Sequence, residues 1–394
     1  MTLVLAHVSD LHVSAFGDTF HDRLKMVRRS ARIADTADAR WEVAWAESGW
    51  RVLREIGRRS PKVALVDPDG YAHPIPPKKG ERGTDKVERG ARRACRLEAR
   101  RADTLAASLP RSGAVDILLE ATPSNVNVRL LRAAREVGPD TNIVIVTGDL
   151  TDDGAGHALV RAAFQSHAGR ERLLCVPGNH DRYLFPMQGS ERPRPTHESK
   201  ALSWRAFMES TGTVPEPCGA WVRAFPEGDC VILGLDSCRR QRRFYRHNGS
   251  VGEEQLAFAR AIAARDPWRS ARHRLVLLHH HVVPLPVGVG RGAPSEIGMR
   301  LDDSKAAAAC FEEIGATLVL HGHRHVSERR QPAGASFTIL SAPSLTLGCK
   351  SGDAPSYWRI ELDDRAHVER RKIPFANAHG EEAEADLVAA EDEA

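Results

Sequence analysis

The sequence lacks the paired cysteines and long apolar runs that would place it in a disulfide-rich or membrane class. Its seven cysteines are scattered without a Cys-x-x-Cys pair, which argues against a disulfide framework or a thiolate zinc site and predicts reduced thiols. No apolar run approaches the roughly 18 residues that a membrane span needs. The first residues, MTLVLAH, also lack the basic region and cleavage-like site of a secretory signal. We therefore expect a cytoplasmic protein.

The net charge of the chain is small as well, although the charged residues are unevenly distributed along it. The 394 residues are 42% apolar and 27% charged, with a net charge of +4, which is typical of a globular chain with one large core or two ordinary ones. Residues 21–120 carry 22 basic and 15 acidic side chains, whereas residues 376–394 carry seven acidic and no basic ones. The basic block raises the question of a nucleic-acid or anionic membrane partner.

Five short apolar runs share one pattern, because each ends in polar residues of the kind that bind metals. The runs are Leu3–Val8, Asn142–Thr147, Arg172–Pro177, Arg274–Leu278 and Thr317–Leu320. Their length and their β-branched residues predict strands that are buried on both faces. In α/β sheets, functional sites collect beyond the carboxyl ends of the strands. The pattern therefore predicts one site at five strand ends.

Helices and further strands lie between and after these runs. Period-3.6 patterns predict helices over Glu254–Arg265, Ser304–Ile314 and Ser124–Val137. Ser336–Leu340 and Tyr357–Leu362 read as additional strands of a second sheet. We expect a catalytic domain formed by residues 1–20 together with 121–375.

The basic block 21–120 interrupts that domain and has a different composition. His21–Arg59 and Asp85–Leu109 are rich in arginine and alanine and predict long helices, so we expect a mainly helical insertion or cap. A stretch rich in proline and glycine separates them, and Val63–Val66 followed by Tyr71 and Ala72 predicts a small hairpin within it. Residues 376–394 predict a disordered acidic tail.

The polar residues at the strand ends form a set of carboxylate, amide and imidazole groups without a thiolate. The set is Asp10, His12, Asp149, Asn179, His180, His279, His323 and His325. Such a mixture suits Mn, Fe or Zn. The pairs Asp10-x-His12 and His323-x-His325 have period-2 spacing, which on an extended strand places both side chains on one face. Asp181, or an aspartate of Asp152-Asp153, is expected to orient a neighbouring imidazole, and turn capping is the alternative role for Asp181.

In this order, these motifs resemble the calcineurin-like metallophosphoesterases. The resemblance covers residues 1–20 and about 140–365. The sequences of the motifs at Asp10-x-His12, Asn179–Arg182 and Leu278–Pro284 are most similar to those of bacterial class III cyclic nucleotide phosphodiesterases. It implies an α/β fold, a four-layer α-β-β-α sandwich of two mixed sheets. Asp149 follows His12 much later than in that family, by about the length of the basic block.

The resemblance also implies a role for each residue at the site. Asp10, His12 and His325 would hold a first divalent ion, Asn179, His279 and His323 a second, and Asp149 would bridge them. His180 would be a non-ligand histidine that faces the substrate and acts in catalysis with Asn179. Because His279, His280 and His281 are consecutive, His279 is preferred as the ligand, with His280 as the alternative.

The expected activity is hydrolysis of phosphodiesters, with cyclic nucleotides as the leading substrate, by a hydroxide that bridges two metal ions. The alternatives are a nuclease on DNA or RNA, a pyrophosphohydrolase on a nucleotide-linked lipid, and a non-catalytic scaffold of the same fold. The basic insertion would serve the first two, by contact with nucleic acid or with an anionic membrane surface. A second basic run, residues 239–246, predicts either a surface loop or a guide for an anionic substrate.

Overall fold

The structure is a computed structural model, and it describes three sheets and the helices that pack against two of them. The described residues are 2–14, short pieces of 41–90, 126–184 apart from 139, 153, 155 and 169–171, 197–238, 247–284, 299–348 and 354–374. No helix in these ranges combines the length and the apolar character that crossing a membrane requires. The predicted acidic tail, 376–394, lies outside the described residues, as does the basic run 239–246.

Helices and strands are interspersed between residues 126 and 313, and the described elements after residue 317 are all strands. The strands are β1 Leu3–Val8, β2 Trp41–Glu47, β3 Trp50–Glu55, β4 Val63–Val66, β5 Ala72–Pro74, β6 Ile143–Val146, β7 Leu173–Cys175, β8 Trp221–Phe225, β9 Cys230–Gly234, β10 His273–Leu277, β11 Leu318–His321, β12 Glu328–Arg330, β13 Thr338–Ser341, β14 Ser356–Leu362 and β15 Ala366–Lys372. The helices are α1 Val126–Glu136, α2 His157–Ala168, α3 Asn179–Arg182, α4 His197–Ser210, α5 Glu253–Ala263 and α6 Ser304–Glu313. The five predicted strands and the three predicted helices are confirmed.

Two mixed sheets form the main body. The first has the order β15-β14-β1-β6-β7. Strands β1, β6 and β7 run parallel to one another, β14 is antiparallel to β1, and β15 is antiparallel to β14. The second has the order β12-β13-β11-β10-β9-β8, with its four central strands parallel and antiparallel strands at both edges. Tyr357–Leu362 therefore belongs to the first sheet, beside β1, and its predicted place in the second sheet is wrong. The antiparallel partner of β1 is β14, which lies far away along the chain. A local sequence pattern does not show which distant segments pair.

The side chains of the central strands pack in two directions, which produces the four layers. In β10, Leu275 and Leu277 join the core between the two sheets, whereas Val276 joins a second core with α5 and α6. On the other side, α2 packs against β6 and β7, and α1 and α4 pack on α2. Alternate residues of a strand point to opposite faces of its sheet, so a strand that is covered on both faces needs an unbroken apolar run. The α-β-β-α sandwich of two mixed sheets is confirmed.

The part of the basic block that the structure describes is mostly sheet. Strands β2, β3, β4 and β5 form an antiparallel sheet in that order. The predicted helix over His21–Arg59 is therefore wrong for Trp41–Glu55, whereas the predicted hairpin is confirmed by the pairing of β4 with β5. The high content of arginine and alanine suggested a helix, but WEVAW and WRVLR are rich in tryptophan and valine, which favours strands. The treatment of 21–120 as one insertion stays a prediction.

Candidate metal centre

The loops that follow the parallel strands meet at one place between the two sheets. After β1 and β6, the amide of Asp10 donates to the carbonyl of Gly148 at 3.0 Å. After β7, the amide of His180 donates to Asp149 Oδ1 at 2.8 Å. After β11, the amide of His323 donates to Asp10 Oδ2 at 2.9 Å. Loops from both sheets therefore share hydrogen bonds, as the strand-end pattern predicts.

Most of the predicted site residues adopt an unusual backbone conformation. Left-handed φ angles occur at Asp10 (53°), His12 (51°), Asp149 (51°), His323 (75°) and His325 (51°). Each costs roughly 1–2 kcal/mol in a non-glycine residue, and such strain clusters at functional sites. The expectation that the two Asp/His-x-His pairs share a face because they lie on extended strands is therefore wrong. The side chains converge because tight left-handed loops turn them toward each other.

Side-chain hydroxyls from the loop after β13 hold the strained loop after β1. Ser344 Oγ donates to the carbonyl of Asp10 at 2.6 Å, and Thr346 Oγ1 donates to the carbonyl of Leu11 at 2.8 Å. Both hydroxyls are fully buried. Hydrogen bonds of this kind offset the cost of the left-handed conformation, because the carbonyls have no partner within a sheet.

Two glycines of the sequence motifs leave room for the carboxylates. A β-carbon on Gly178 would collide with the carboxylate of Asp149, and one on Gly322 would collide with Ser9 Oγ and Asp10 Oδ2. The glycines that precede Asn179 and His323 are therefore needed for close approach of the backbone to the acidic side chains.

Asp10, His12 and His325 bring three possible ligand atoms together. His12 Nε2 lies 2.9 Å from His325 Nε2, which lies 3.2 Å from Asp10 Oδ1. His12 Nδ1 donates to Asp152 Oδ1 at 2.7 Å, so in the neutral ring the lone pair is on Nε2 and faces the other two residues. Asp10 Oδ1 is buried. Two imidazole nitrogens and a carboxylate oxygen that face one another at these distances form a donor set that suits a cation.

His279 joins a second group of facing acceptors. Its Nδ1 donates to the carbonyl of Thr147 at 2.8 Å, which leaves the lone pair of the neutral ring on Nε2. That nitrogen lies 3.0 Å from Asn179 Oδ1 and 3.3 Å from Asp149 Oδ2. The carbonyl of Thr147 therefore directs the histidine lone pair at an amide oxygen and a carboxylate.

His323 completes the second group in the same way. Its Nε2 donates to the carbonyl of Met299 at 3.0 Å, so its lone pair is on Nδ1, which lies 3.2 Å from His279 Nε2. The candidate ligand atoms of Asp149, His279 and His323 all lie within 4.8 Å of one another. Asp149 also belongs to a group of the same size with His12 and His180. It therefore lies between the two sets of candidate ligands.

His280 differs from His279 in its hydrogen bonds. Its Nε2 donates to the carbonyl of His247 at 2.7 Å, and its Nδ1 accepts from the hydroxyl of Ser237 at 2.9 Å. Burial, followed by the charge of His279, holds the pKa of His280 well below its ordinary value. Both ring nitrogens of His280 are engaged away from the carboxylates, and of the two histidines it is His279 that faces Asp149.

His180 and His12 share one carboxylate oxygen. His180 Nδ1 lies 2.9 Å from Asp152 Oδ1, the atom that accepts from His12, and the two rings are 4.8 Å apart between centroids. Burial would raise the pKa of Asp152, but the charges and hydrogen bonds of His12 and His180 outweigh it and lower the pKa. The side chain of His180 is 12% exposed, so solvent reaches it. Of Asp152 and Asp181, it is thus Asp152 that contacts the rings of His12 and His180.

Asp181 serves the turn instead. Its two oxygens accept from the amides of Leu150, Thr151 and Gly178 at 2.8–3.1 Å and from the hydroxyl of Thr151 at 3.1 Å. Of the two roles expected for Asp181, the geometry favours capping. The carboxylate connects the loop after β6 to the start of α3, and so fixes Asn179 relative to Asp149.

Buried carboxylates and protonated rings balance one another when no metal is bound. Burial would lower the pKa of His12, but Asp152, Asp149 and Asp10 outweigh it and raise the pKa to about 9. Burial would also lower the pKa of His279, but chiefly Asp149 outweighs it and raises the pKa to about 9. Divalent cations would replace these protons, and a donor set of oxygen and nitrogen atoms without sulfur suits Mn, Fe or Zn.

One residue at the site was missed by the sequence interpretation. His247 Nδ1 lies 3.0 Å from Asn179 Nδ2, and its ring lies 6.2 Å from the ring of His180 between centroids. Its segment is held in place, because the hydroxyl of Tyr183 donates to the carbonyl of Asn248 at 2.8 Å. The available signal was a histidine directly after the basic run 239–246.

One family model and a set of solved structures match this chain. The sequence model of the calcineurin-like phosphoesterases matches residues 124–327, just over half of the chain. No curated protein matches the sequence. Among 69 matching solved chains is the purple acid phosphatase PPD1 of yellow lupin (Lupinus luteus), with 13% identity, a TM-score of 0.44, and coverage of 65% of this chain and 48% of that one.

Two further solved structures overlap with this chain in part. A putative 5'-nucleotidase of Staphylococcus aureus has 12% identity, a TM-score of 0.36, and coverage of 62% of this chain and 48% of its own. The phosphopantetheinyl hydrolase PptH of Mycobacterium tuberculosis has 12% identity, a TM-score of 0.36, and coverage of 55% of this chain and 84% of its own. The chain thus spans about half the length of the plant phosphatase and of the nucleotidase.

Proposed function

The chain belongs to the calcineurin-like phosphoesterase family, and we propose that within this family it is a phosphodiesterase with two divalent metal ions. The observation that carries the proposal is the convergence of acceptor atoms at the strand ends. In the neutral rings, the lone pairs of His279 and His323 face each other, and His279 Nε2 also faces an oxygen of Asp149. Divalent cations bind such a set of nitrogen and oxygen atoms, and would take the place of the proton that His279 carries in the metal-free protein.

The proposed ligands divide into two sets with a shared member. Asp10, His12 and His325 would hold one ion, Asn179, His279 and His323 would hold the other, and Asp149 would contribute to both. Two bound ions would supply Lewis acidity toward phosphoryl oxygens and would lower the pKa of a water molecule toward neutrality. Manganese, iron or zinc suits this donor set.

The protein's own contribution to the reaction comes from His180, Asn179 and Asp152. A proton on His180 Nδ1 faces the carboxylate of Asp152 at 2.9 Å, which leaves Nε2 as the atom that exchanges a proton with the leaving oxygen of the substrate. Asn179 places its amide between His279 and His247 and orients the phosphoryl group beside them.

The preference for diesters, with cyclic nucleotides as the leading substrates, is supported by the wording of the motifs around Asp10, Asn179 and His279. The charge of the substrate would be met chiefly by the metal ions.

A substrate panel with Mn²⁺ tests the proposal. The substrates are an aryl phosphodiester, an aryl phosphomonoester, cyclic nucleotides, single-stranded DNA and a nucleotide-diphospho-lipid. We expect the highest kcat/KM for diesters, with cyclic nucleotides among them, and loss of turnover after chelation. Preference for the monoester would contradict the diesterase assignment.

Two outcomes of the same panel would favour the alternatives. The protein could turn over DNA with a salt dependence that disappears when residues 21–120 are deleted. That result would indicate a nuclease whose basic residues in 21–120 contact the DNA phosphates. Preference for the nucleotide-linked lipid would indicate a pyrophosphohydrolase. Asp149→Asn provides the control in every arm, since it retains the shape of the side chain but removes the proposed shared ligand charge.

A further inference from the structure

Lys200 is a buried cation in α4, directly behind the candidate site. Its residue exposure is only 1%. The ammonium has three N–H groups, and three carbonyl oxygens accept from it: His180 at 2.5 Å, Tyr183 at 3.0 Å and Asp152 at 3.2 Å. Burial of an ammonium is costly unless its hydrogens are bonded, and here each hydrogen has an acceptor.

The acceptors include the end of a very short helix. Helix α3 has four residues, Asn179–Arg182, so the carbonyls of its last turn have no partners further along the helix. Lys200 supplies donors to the carbonyls of His180 and Tyr183, and its charge suits the carbonyl end of a helix. The conformation of α3 therefore depends on a side chain from another element.

The Lys200 ammonium links the backbones of His180 and Asp152, whose side chains are also in contact. Their side chains lie 2.9 Å apart, and their carbonyls both accept from Lys200. On its other side, the amide of His180 donates to Asp149 Oδ1 at 2.8 Å. The backbone of His180 is thus held at its N–H by a proposed ligand and at its carbonyl by a buried cation.

We propose that Lys200 is a positioning residue that fixes His180 and Asp152 relative to each other and thereby holds the substrate-facing imidazole in place. The inference rests on the proposed function only in that His180 faces the substrate. Lys200 itself touches main-chain oxygens and does not take part in the chemistry.

The next turn of α4 offers a matched control. Ser203 Oγ donates to the carbonyl of Gly154 at 2.8 Å and lies 3.0 Å from His157 Nδ1, so it anchors the same helix to the loop that carries Asp152 and to α2. Ser203→Ala removes this anchor without touching the carbonyls of α3. A general loosening of α4 would affect both variants, whereas positioning of His180 concerns Lys200 alone.

The test is a double-mutant cycle on the full chain loaded with Mn²⁺, with Lys200→Met, His180→Ala, their combination and Ser203→Ala. We expect Lys200→Met to keep the metal content of the wild type, to lower kcat about 10- to 100-fold, and to change KM little. In the His180→Ala background the same change should have almost no further effect, because its effect acts through His180. Ser203→Ala should keep the kcat of the wild type.

Two results would overturn the proposal. One is an equal loss of kcat from Lys200→Met in both backgrounds, and the other is an unchanged kcat with a lower Tm. If Lys200→Met does not fold, Lys200→Arg takes its place in the cycle. Arginine retains the charge, but a planar guanidinium cannot face three carbonyls as an ammonium does, so an intermediate kcat with the same coupling is expected.

A failure of this inference can be told apart from a failure of the proposed function. The cycle uses whichever phosphoester of the panel is turned over fastest, so a preference for monoesters would contradict the diesterase assignment and leave the coupling measurable. The affinity of the manganese-loaded protein for orthophosphate is the second readout. Coupled weakening by Lys200→Met and His180→Ala supports the inference even if no ester is hydrolysed, and independent or absent effects contradict it.

Discussion

The role of each histidine at the site depends on the partner of its second ring nitrogen. The carbonyls of Thr147 and Met299 accept from His279 and His323, which turns the lone pairs of these rings toward each other. His280 is adjacent in sequence, but its ring bonds Ser237 and the carbonyl of His247. A metal needs an unprotonated nitrogen, so these second-nitrogen partners separate candidate ligands from supporting residues.

Substitution of His180 should separate catalysis from metal binding. We expect His180→Ala to retain the bound metal and to lower kcat about 10²- to 10⁴-fold, the usual contribution of a positioned acid or base. Asp149→Ala and Asn179→Ala should collapse turnover, and Asp149→Ala should also reduce the metal content, because Asp149 lies between both ligand sets. Metal analysis of the purified proteins, together with steady-state kinetics, measures both effects.

His367→Ala is the matched control, since that side chain is 51% exposed on β15 and pairs only loosely with Asp363 at 3.5 Å. It should leave metal content and kcat unchanged. Loss of metal from His180→Ala would show that His180 is a ligand. That result is conceivable on distance alone, because a ring nitrogen of His180 lies within 4.8 Å of ligand atoms of His12 and Asp149.

Among the structural elements, the loops after the strands adopt the strained backbone conformations, and the strands hold those loops in place. Asp10, Asp149 and His323 adopt left-handed conformations directly after buried strands of either sheet. Buried hydroxyls and glycines support these loops, and the strands hold them in register. A change in loop geometry should therefore affect the site more than it affects the fold.

Gly322→Ala tests the close packing of the loop after β11. The added β-carbon meets Ser9 Oγ and Asp10 Oδ2, so we expect loss of metal affinity and a fall in the free energy of unfolding of about 1–3 kcal/mol. Gly334→Ala is the control, because its β-carbon would meet nothing within 4 Å although its φ is +77°. It should cost about 1–2 kcal/mol of stability and leave the metal bound. Equal metal content in both variants would contradict the proposed role of Asp10.

For the whole molecule, the important feature is that both sheets contribute to one site. The loops after β1, β6 and β7 come from the first sheet, and those after β10 and β11 come from the second. Bound metal would therefore link the two sheets across the core that they share. Metal that binds only the folded state would therefore raise the free energy of unfolding of the sandwich.

Removal of metal should lower the Tm, and more so at higher pH. At a free metal concentration 100 times the Kd, binding to the folded state alone stabilises it by about 2.7 kcal/mol. In the metal-free protein, His12 and His279 have pKa values raised to about 9, so the stability from their protonation is present below about pH 6.5 and is lost as the pH rises through 9. Calorimetry with and without chelator should show a Tm difference that widens over this range. A constant difference would contradict the competition between protons and metal.

The strands and helices of the sandwich were largely predictable, because their apolar periodicity is a local property. Leu3–Val8 and the helix over Ser304–Glu313 follow directly from it. The block at Trp41–Glu55 was misread, because composition was weighed above alternation. His247 and Lys200 were not recognised, since their importance comes from contacts with residues 68 and 20 positions away along the chain.

The sequence by itself determined the family, the strand-end pattern and the chemical types of the candidate ligands, because metal-binding side chains after buried strands can be read over a few residues. Tertiary structure decided which of two adjacent histidines faces Asp149, which aspartate contacts His12 and His180, and which buried lysine supports α3. Ring orientation and hydrogen-bond partnership depend on segments that meet only when two sheets pack. No local pattern of residues contains that information.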